Sequence, residues 1–121
     1  PLSLMLLHRD ATVTICHKET HDIQDKVKKA DLIFACCGSP QLVKKSWVKK
    51  GAVVVDIGIN KVEDKMSDKG YKLVGDVDFD NVKSISGGIT PVPGGIGPMT
   101  IAILMKQIVE AREHQRIIET I

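Results

Sequence analysis

Aromatic residues are scarce in this 121-residue chain: one Trp, one Tyr and two Phe make up 3% of it. A core must therefore be assembled from Ile, Val, Leu, Met and Ala, and the 43% of hydrophobic residues suffices for one domain over 1–121. An excess of one charge is also missing. The formal net charge of +2 singles out neither nucleic acid nor a membrane surface as a partner. Long apolar runs are lacking too, since Leu2 to Leu7 and Ile101 to Met105 fall far short of the ~20 residues that span a bilayer. No basic segment leads into an apolar stretch and a small-residue cleavage site, so no secretory signal is read. Cysteine is sparse and odd in number. Cys16, Cys36 and Cys37 suit thiols in a reducing compartment better than a disulfide framework.

What is present alternates between helix and strand signals. Pro1 leads into Leu2, Leu4, Met5 and Leu7 at helical spacing. With no initiator Met and no strand before this helix, the expectation is a piece of a longer protein. Ala11 to Cys16 is β-branched and predicts a strand. Ile23 to Lys29 returns to helical spacing, with Asp22 as a candidate cap. Asp31 to Cys36 and Ala52 to Ile57 are apolar runs ending at Gly38 and Gly58, as in parallel strands buried on both faces. Pro40 to Trp47 predicts a short helical turn. Lys61 to Gly70 reads as a solvated excursion, a hairpin leading to Tyr71–Val74. Phe79 to Lys83 predicts a helical turn and Ser84 to Ser86 a short strand. Pro98 is expected to open a last helix, with Ile101, Leu104, Met105, Ile108 and Val109 on one face. The fold class expected is α/β, a Rossmann-like doubly wound parallel sheet whose first strand is missing.

In such a sheet, ligands bind beyond the carboxyl ends of the strands. Those ends are Cys16-His17-Lys18, Cys37-Gly38-Ser39-Pro40, Gly58-Ile59-Asn60 and the loop from Gly87 to Pro98. Lys18 stands where a dinucleotide fold meets the adenosine ribose. A cation there favours the 2′-phosphate of NADP, whereas a carboxylate favours NAD; a solvated surface lysine is the plainer reading. Gly38 and Gly58 serve as turn residues or as points of close approach to a cofactor. Thr90 to Thr100 is the most specific stretch, with two prolines restricting its approach and three glycines leaving its backbone bare.

The decapeptide PVPGGIGPMT in that stretch resembles the signature loop of methylenetetrahydrofolate dehydrogenase/cyclohydrolases. ATVTICHKET, ADLIFACCGSP, VVVDIGIN and VGDVDF are similar to that family's successive segments, in the same order. The resemblance covers Pro1 to about Arg112. It implies the C-terminal cofactor-binding domain of an enzyme that oxidises methylenetetrahydrofolate with NADP, NAD being the alternative, and hydrolyses the methenyl product to formyltetrahydrofolate. It implies a tetrahydrofolate derivative as partner, a homodimer built through this domain, and a cytoplasmic or, in a eukaryote, mitochondrial setting. His17 and Lys18 would lie at the adenosine end, Lys18 replacing the family's common Ser or Arg. Gly38 and Pro40 would border the diphosphate and ribose, and Gly58 and Ile59 would flank the nicotinamide. Pro93, Gly94, Gly95, Gly97 and Thr100 would wall the nicotinamide from the folate. The family's phosphate loop ends where this sequence begins, and its catalytic Tyr and Lys belong to an N-terminal domain. Tyr71 does not match that motif. No catalytic residue is expected here, and the chain alone is not expected to turn over folate.

Other readings are weaker. A metal site from Cys16, His17, Cys36 and Cys37 lacks ligand spacing, so no metal is expected. A reactive Cys–His couple is disfavoured by the apolar run around Cys36 and Cys37. Asp76 and Asp78 could share a strand face as an acid–base pair, but nothing in the sequence indicates the perturbed environment that role needs. The rival from another class is a non-catalytic nucleotide-binding or dimerisation module. A different α/β dehydrogenase, such as a shikimate-type enzyme, is opposed by the Thr90–Thr100 loop.

Overall fold

The computed structural model describes residues 1–119, and it has the α/β architecture that the alternating pattern implies. Strands β1 (Leu32–Ala35), β2 (Val53–Asp56) and β5 (Gly88–Ile89) form a parallel sheet in the order β1-β2-β5. Leu32 pairs with Val53, and Val53 with Gly88. A separate antiparallel hairpin joins β3 (Asn60–Glu63) to β4 (Tyr71–Val74), as the polar excursion between them implies. The helices are α1 (Leu2–Leu7), α2 (Ile23–Val27), α3 (Phe79–Lys83) and α4 (Ile96–Glu119).

The core follows from the residue types. Ile33 and Ala35 on β1, Ala52 and Val54 at β2, and Val43, Val48, Val77 and Val82 from the flanking segments are all buried. Small, β-branched side chains dominate, so close approach between sheet and connections replaces the bulk that aromatics would supply. Trp47 packs at the margin of this cluster. The parallel bridge between Val43 and Val77 ties the chain after β1 to the chain after β4.

Several local expectations are corrected. Ala11 to Cys16, expected as a strand, carries no regular secondary structure and pairs with no strand among the described residues. β-branched residues favour the conformation, yet a strand exists only where its N–H and C=O groups meet a ladder. The chain leaves α1 through Asp10 in the left-handed region (φ 59°), with Ala11 N–H donating to the Leu6 carbonyl at 3.2 Å. Asp22 stands at the N-terminus of α2 but is left-handed (φ 54°) and makes no side-chain cap. Pro40 to Trp47 condenses into a 3-10 turn at Lys45–Trp47 only. Ser84 to Ser86 continues the end of α3 through amide bonds back to Val82, and the strand comes later, at Gly88–Ile89. Pro98 sits third in α4, which begins at Ile96; its missing N–H is harmless there because the first-turn amides have no helical partner. The apolar residues of α4 are helical as expected, and every side chain from Gly97 to Ile118 is exposed. Among the described residues no helix is long and apolar enough to cross a membrane.

Val54 has no exposed surface, and its neighbours are held by the sheet on both sides. Val54→Ala is expected to cost about 2 kcal/mol, measured as a lowered urea midpoint. Met66→Ala, at a residue 95% exposed, should leave the midpoint unchanged.

Candidate functional site

Because β1, β2 and β5 are parallel neighbours, their carboxyl ends lie along one edge of the sheet. Three loops leave this edge: Cys36 to Pro40, Ile57 to Asn60, and Thr90 to Gly95. Two buried carboxylates knit it together. Asp56, closing β2, accepts hydrogen bonds from the backbone N–H groups of Gly58, Asp76 and Val77, each at 3.0 Å. Its own N–H donates to the Thr90 hydroxyl at 2.8 Å, which joins the β5 loop to the end of β2. Asp76, fully buried, accepts from Cys37 N–H and Gly38 N–H on one oxygen. The other oxygen accepts from Ser39 N–H at 3.1 Å and the Asn60 side-chain amide at 2.8 Å.

These bonds decide the charge state. Burial pushes the Asp76 carboxyl up, and the hydrogen bonds from Asn60, Gly38, Cys37 and Ser39 outweigh it, so the group sits below the ordinary aspartate range. The neighbouring thiol moves the other way. Cys37 is exposed overall, but desolvation of its inner side and then the Asp76 charge push its pKa up, which blunts it as a nucleophile.

The glycines at this edge are there for different reasons. A methyl group added at Gly58 would collide with the Asp76 carboxylate, and one at Gly75 with that of Asp56. At Gly95 it would strike the Pro91 carbonyl. These three are demanded by packing inside the chain, so the glycine at position 58 has a cause apart from any ligand. Gly97 is different. Nothing lies within 4 Å of a Cβ built there, and its backbone is helical, so neither contact nor conformation requires glycine. Glycine inside a helix costs about 1 kcal/mol relative to alanine, and this one leaves the start of α4 open to an outside group.

The remaining candidates fall into place around this frame. Gly38, left-handed at φ 65°, and exposed Pro40 lie on the β1 loop, and Ile59, 63% exposed, lies on the β2 loop. Pro93 follows a cis peptide bond after Val92, and Gly94 is left-handed at φ 97°. Thr100 donates its hydroxyl to the Ile96 carbonyl at 3.0 Å, inside the helix. His17 and Lys18 stand apart, since no ladder joins their segment to the sheet. They form a tight turn in which His17 N–H donates to the Thr20 hydroxyl and Glu19 N–H donates to His17 Nδ1. Lys18 is 91% exposed, with Glu19 at 3.8 Å. Asp76 and Asp78 do not act as a pair: Asp78 accepts from Asn81 and lies 3.6 Å from the Lys44 ammonium. A shallow hollow lined by Thr20, Asp22, Ile23, Gln24 and Asp25 includes none of the candidate residues.

Asp56, Asn60, Asp76 and Thr90 all lie in stretches that the sequence singles out, but nothing there announces that they join into one framework. The available signals are a charged residue ending the apolar run Val53–Val55 and the Gly75-Asp76-Val77 turn directly after β4.

The sequence profile of the family described as tetrahydrofolate dehydrogenase/cyclohydrolase, NAD(P)-binding domain, matches residues 1–116. The chain belongs to that family. This NAD(P)-binding domain is 51% identical over 115 residues to the mitochondrial C-1-tetrahydrofolate synthase of Saccharomyces cerevisiae, covering 95% of the chain and 12% of the relative. It superposes with a TM-score of 0.85 on the bifunctional FolD methylenetetrahydrofolate dehydrogenase/cyclohydrolase of Campylobacter jejuni, at 44% identity, covering 94% of the chain and 38% of that protein. The Trypanosoma brucei enzyme, whose structure is complexed with NADP cofactor and an inhibitor, aligns with a TM-score of 0.81 at 44% identity, covering 87% of the chain and 36% of that protein. The domain thus spans about an eighth to two fifths of the length of these relatives.

A depressed carboxyl pKa has a sign. Asp76 contributes stability that is fully present above the unfolded aspartate value of about 3.9 and is lost as pH falls through its lower folded value. Asp76→Asn should remove this acid-limb dependence and cost about 1–3 kcal/mol at neutral pH, measured by urea unfolding across a pH series.

Proposed function

We propose that this domain holds NADP along the carboxyl edge of its sheet, as part of a larger enzyme. In that reading, the enzyme oxidises methylenetetrahydrofolate to methenyltetrahydrofolate and hydrolyses the product to formyltetrahydrofolate. The observation that carries the reading is the edge itself: three strand-end loops meet there, with bare backbone at Gly97 that packing does not explain. The family match and the NADP bound to the trypanosomal relative support the cofactor's identity.

Bound NADP supplies the hydride acceptor, and the residues of this chain position it. Ile59, exposed beyond β2, offers an apolar surface to the nicotinamide. The turn from Pro93 to Gly97 lies on the substrate side, its shape set by the restricted prolines and by Gly95 against the Pro91 carbonyl. The N–H groups of Cys37, Gly38 and Ser39 already serve Asp76. That loop therefore meets the ribose through Pro40 and its outer surface, without gripping the diphosphate by amide donors. The Lys18 ammonium, solvated beside Glu19, is placed to face a 2′-phosphate. The proposed assembly is a homodimer, and the proposed compartment is the cytoplasm or, in a eukaryote, the mitochondrion, where Cys16, Cys36 and Cys37 stay as thiols.

Full-length protein containing this chain should reduce NADP when given methylenetetrahydrofolate; no reduction of NADP or NAD would refute the reading. In paired titrations, Lys18→Ala should weaken NADP by up to about fivefold, the scale of an exposed ion pair, and leave NAD unchanged. Equal loss for both cofactors would remove the 2′-phosphate role.

A further inference from the structure

We propose that Asp76 is a positioning residue for the cofactor edge: it touches no cofactor itself, but fixes the loops that do. The inference rests on the cofactor-binding reading above. Three successive backbone N–H groups, from Cys37, Gly38 and Ser39, converge on its carboxylate. Such a run of amides, with a left-handed residue in the middle, forms an anion-binding concavity. Here the anion comes from within the chain. The same carboxylate takes the side-chain amide of Asn60, at the start of β3. One side chain therefore sets the separation between the loop carrying Gly38 and Pro40 and the loop carrying Gly58 and Ile59.

Asp76 is itself immobilised. Its N–H donates to Asp56 Oδ1 at 3.0 Å, and its carbonyl accepts from Val43 N–H at 2.9 Å. It has no exposed surface, and Gly58 lies against its carboxylate where any larger residue would collide. Each oxygen already accepts two hydrogen bonds, which fills the acceptor capacity of a carboxylate and leaves no lone pair to take a proton from a substrate. An acid–base role is thereby excluded by saturation and burial, while a geometric role is served by every contact. Asparagine cannot substitute. Whichever way its amide is turned, an NH2 group faces two N–H donors.

The test uses full-length protein containing this chain, with NADPH binding followed by nucleotide fluorescence and amide exchange followed at Cys37, Gly38 and Ser39. Folded Asp76→Asn should bind NADPH about tenfold more weakly, with kcat at saturating cofactor held within about threefold. Exchange at the three amides should quicken by at least about tenfold, as their opening becomes local. Adding Asn60→Asp to Asp76→Asn restores a donor–acceptor pair between the two side chains and should recover part of the affinity. Should Asp76→Asn fail to fold, Gly58→Ala displaces the same carboxylate with its charge intact and should show the same weakening and faster exchange. A lowered melting temperature with unchanged affinity per folded molecule would reduce Asp76 to a structural residue and overturn the proposal. Unchanged exchange in a folded variant would overturn it too. Wild-type protein that binds neither NADPH nor NADH would instead remove the cofactor reading on which the proposal stands.

Discussion

Carboxyl groups are expensive to bury, and this sheet edge is built around two of them, Asp56 and Asp76. Taking a carboxylate out of water costs several kcal/mol even after relaxation, whereas a hydrogen bond to a charged group returns about 1.5–3 kcal/mol. Asp56 receives three such bonds and Asp76 four. Most donors are backbone amides of loops that would otherwise have no ladder to join. The penalty of burial and the unsatisfied amides of the strand ends are thus offset by one another. With either carboxylate removed, the loops at this edge lose both their anchor and their hydrogen-bond partners.

The sequence made the regular parts readable because their causes are local. The apolar runs at β1 and β2, the hairpin and the long final helix each carry their own period or turn residues. Ala11 to Cys16 carried an equally good strand signal and forms no ladder among the described residues. A strand is defined by its partner, and composition cannot supply one. The same limit hid the frame of the site. Asp76 and the Cys37 amide that it binds are 39 residues apart, so nothing near either position announces the contact. Gly58 was visible as a glycine, but its cause lies in the Asp76 side chain beneath it.

Candidate residues gathered at the edge where they follow parallel strands, because the sheet itself carries their loops to one place. His17 and Lys18 depend on a segment outside the sheet and are positioned by their own turn. In the proposed cofactor reading, binding divides between a rigid part, set by the carboxylate frame, and a solvated lysine whose contribution falls with ionic strength. That division suits a domain in which one end of a ligand must be placed accurately and the other need only be attracted.

The contact of Gly58 with Asp76, and of Gly75 with Asp56, joined by the Asp76 N–H bond to Asp56, makes four positions one packed unit. A larger residue at Gly58 collides with the Asp76 side chain itself, and truncating Asp76 opens a void that glycine cannot fill. Neighbours in contact depart from additivity, so the cost of each change depends on which came first. The four positions are therefore best treated as coupled: a change at one sets the cost of a change at its partner.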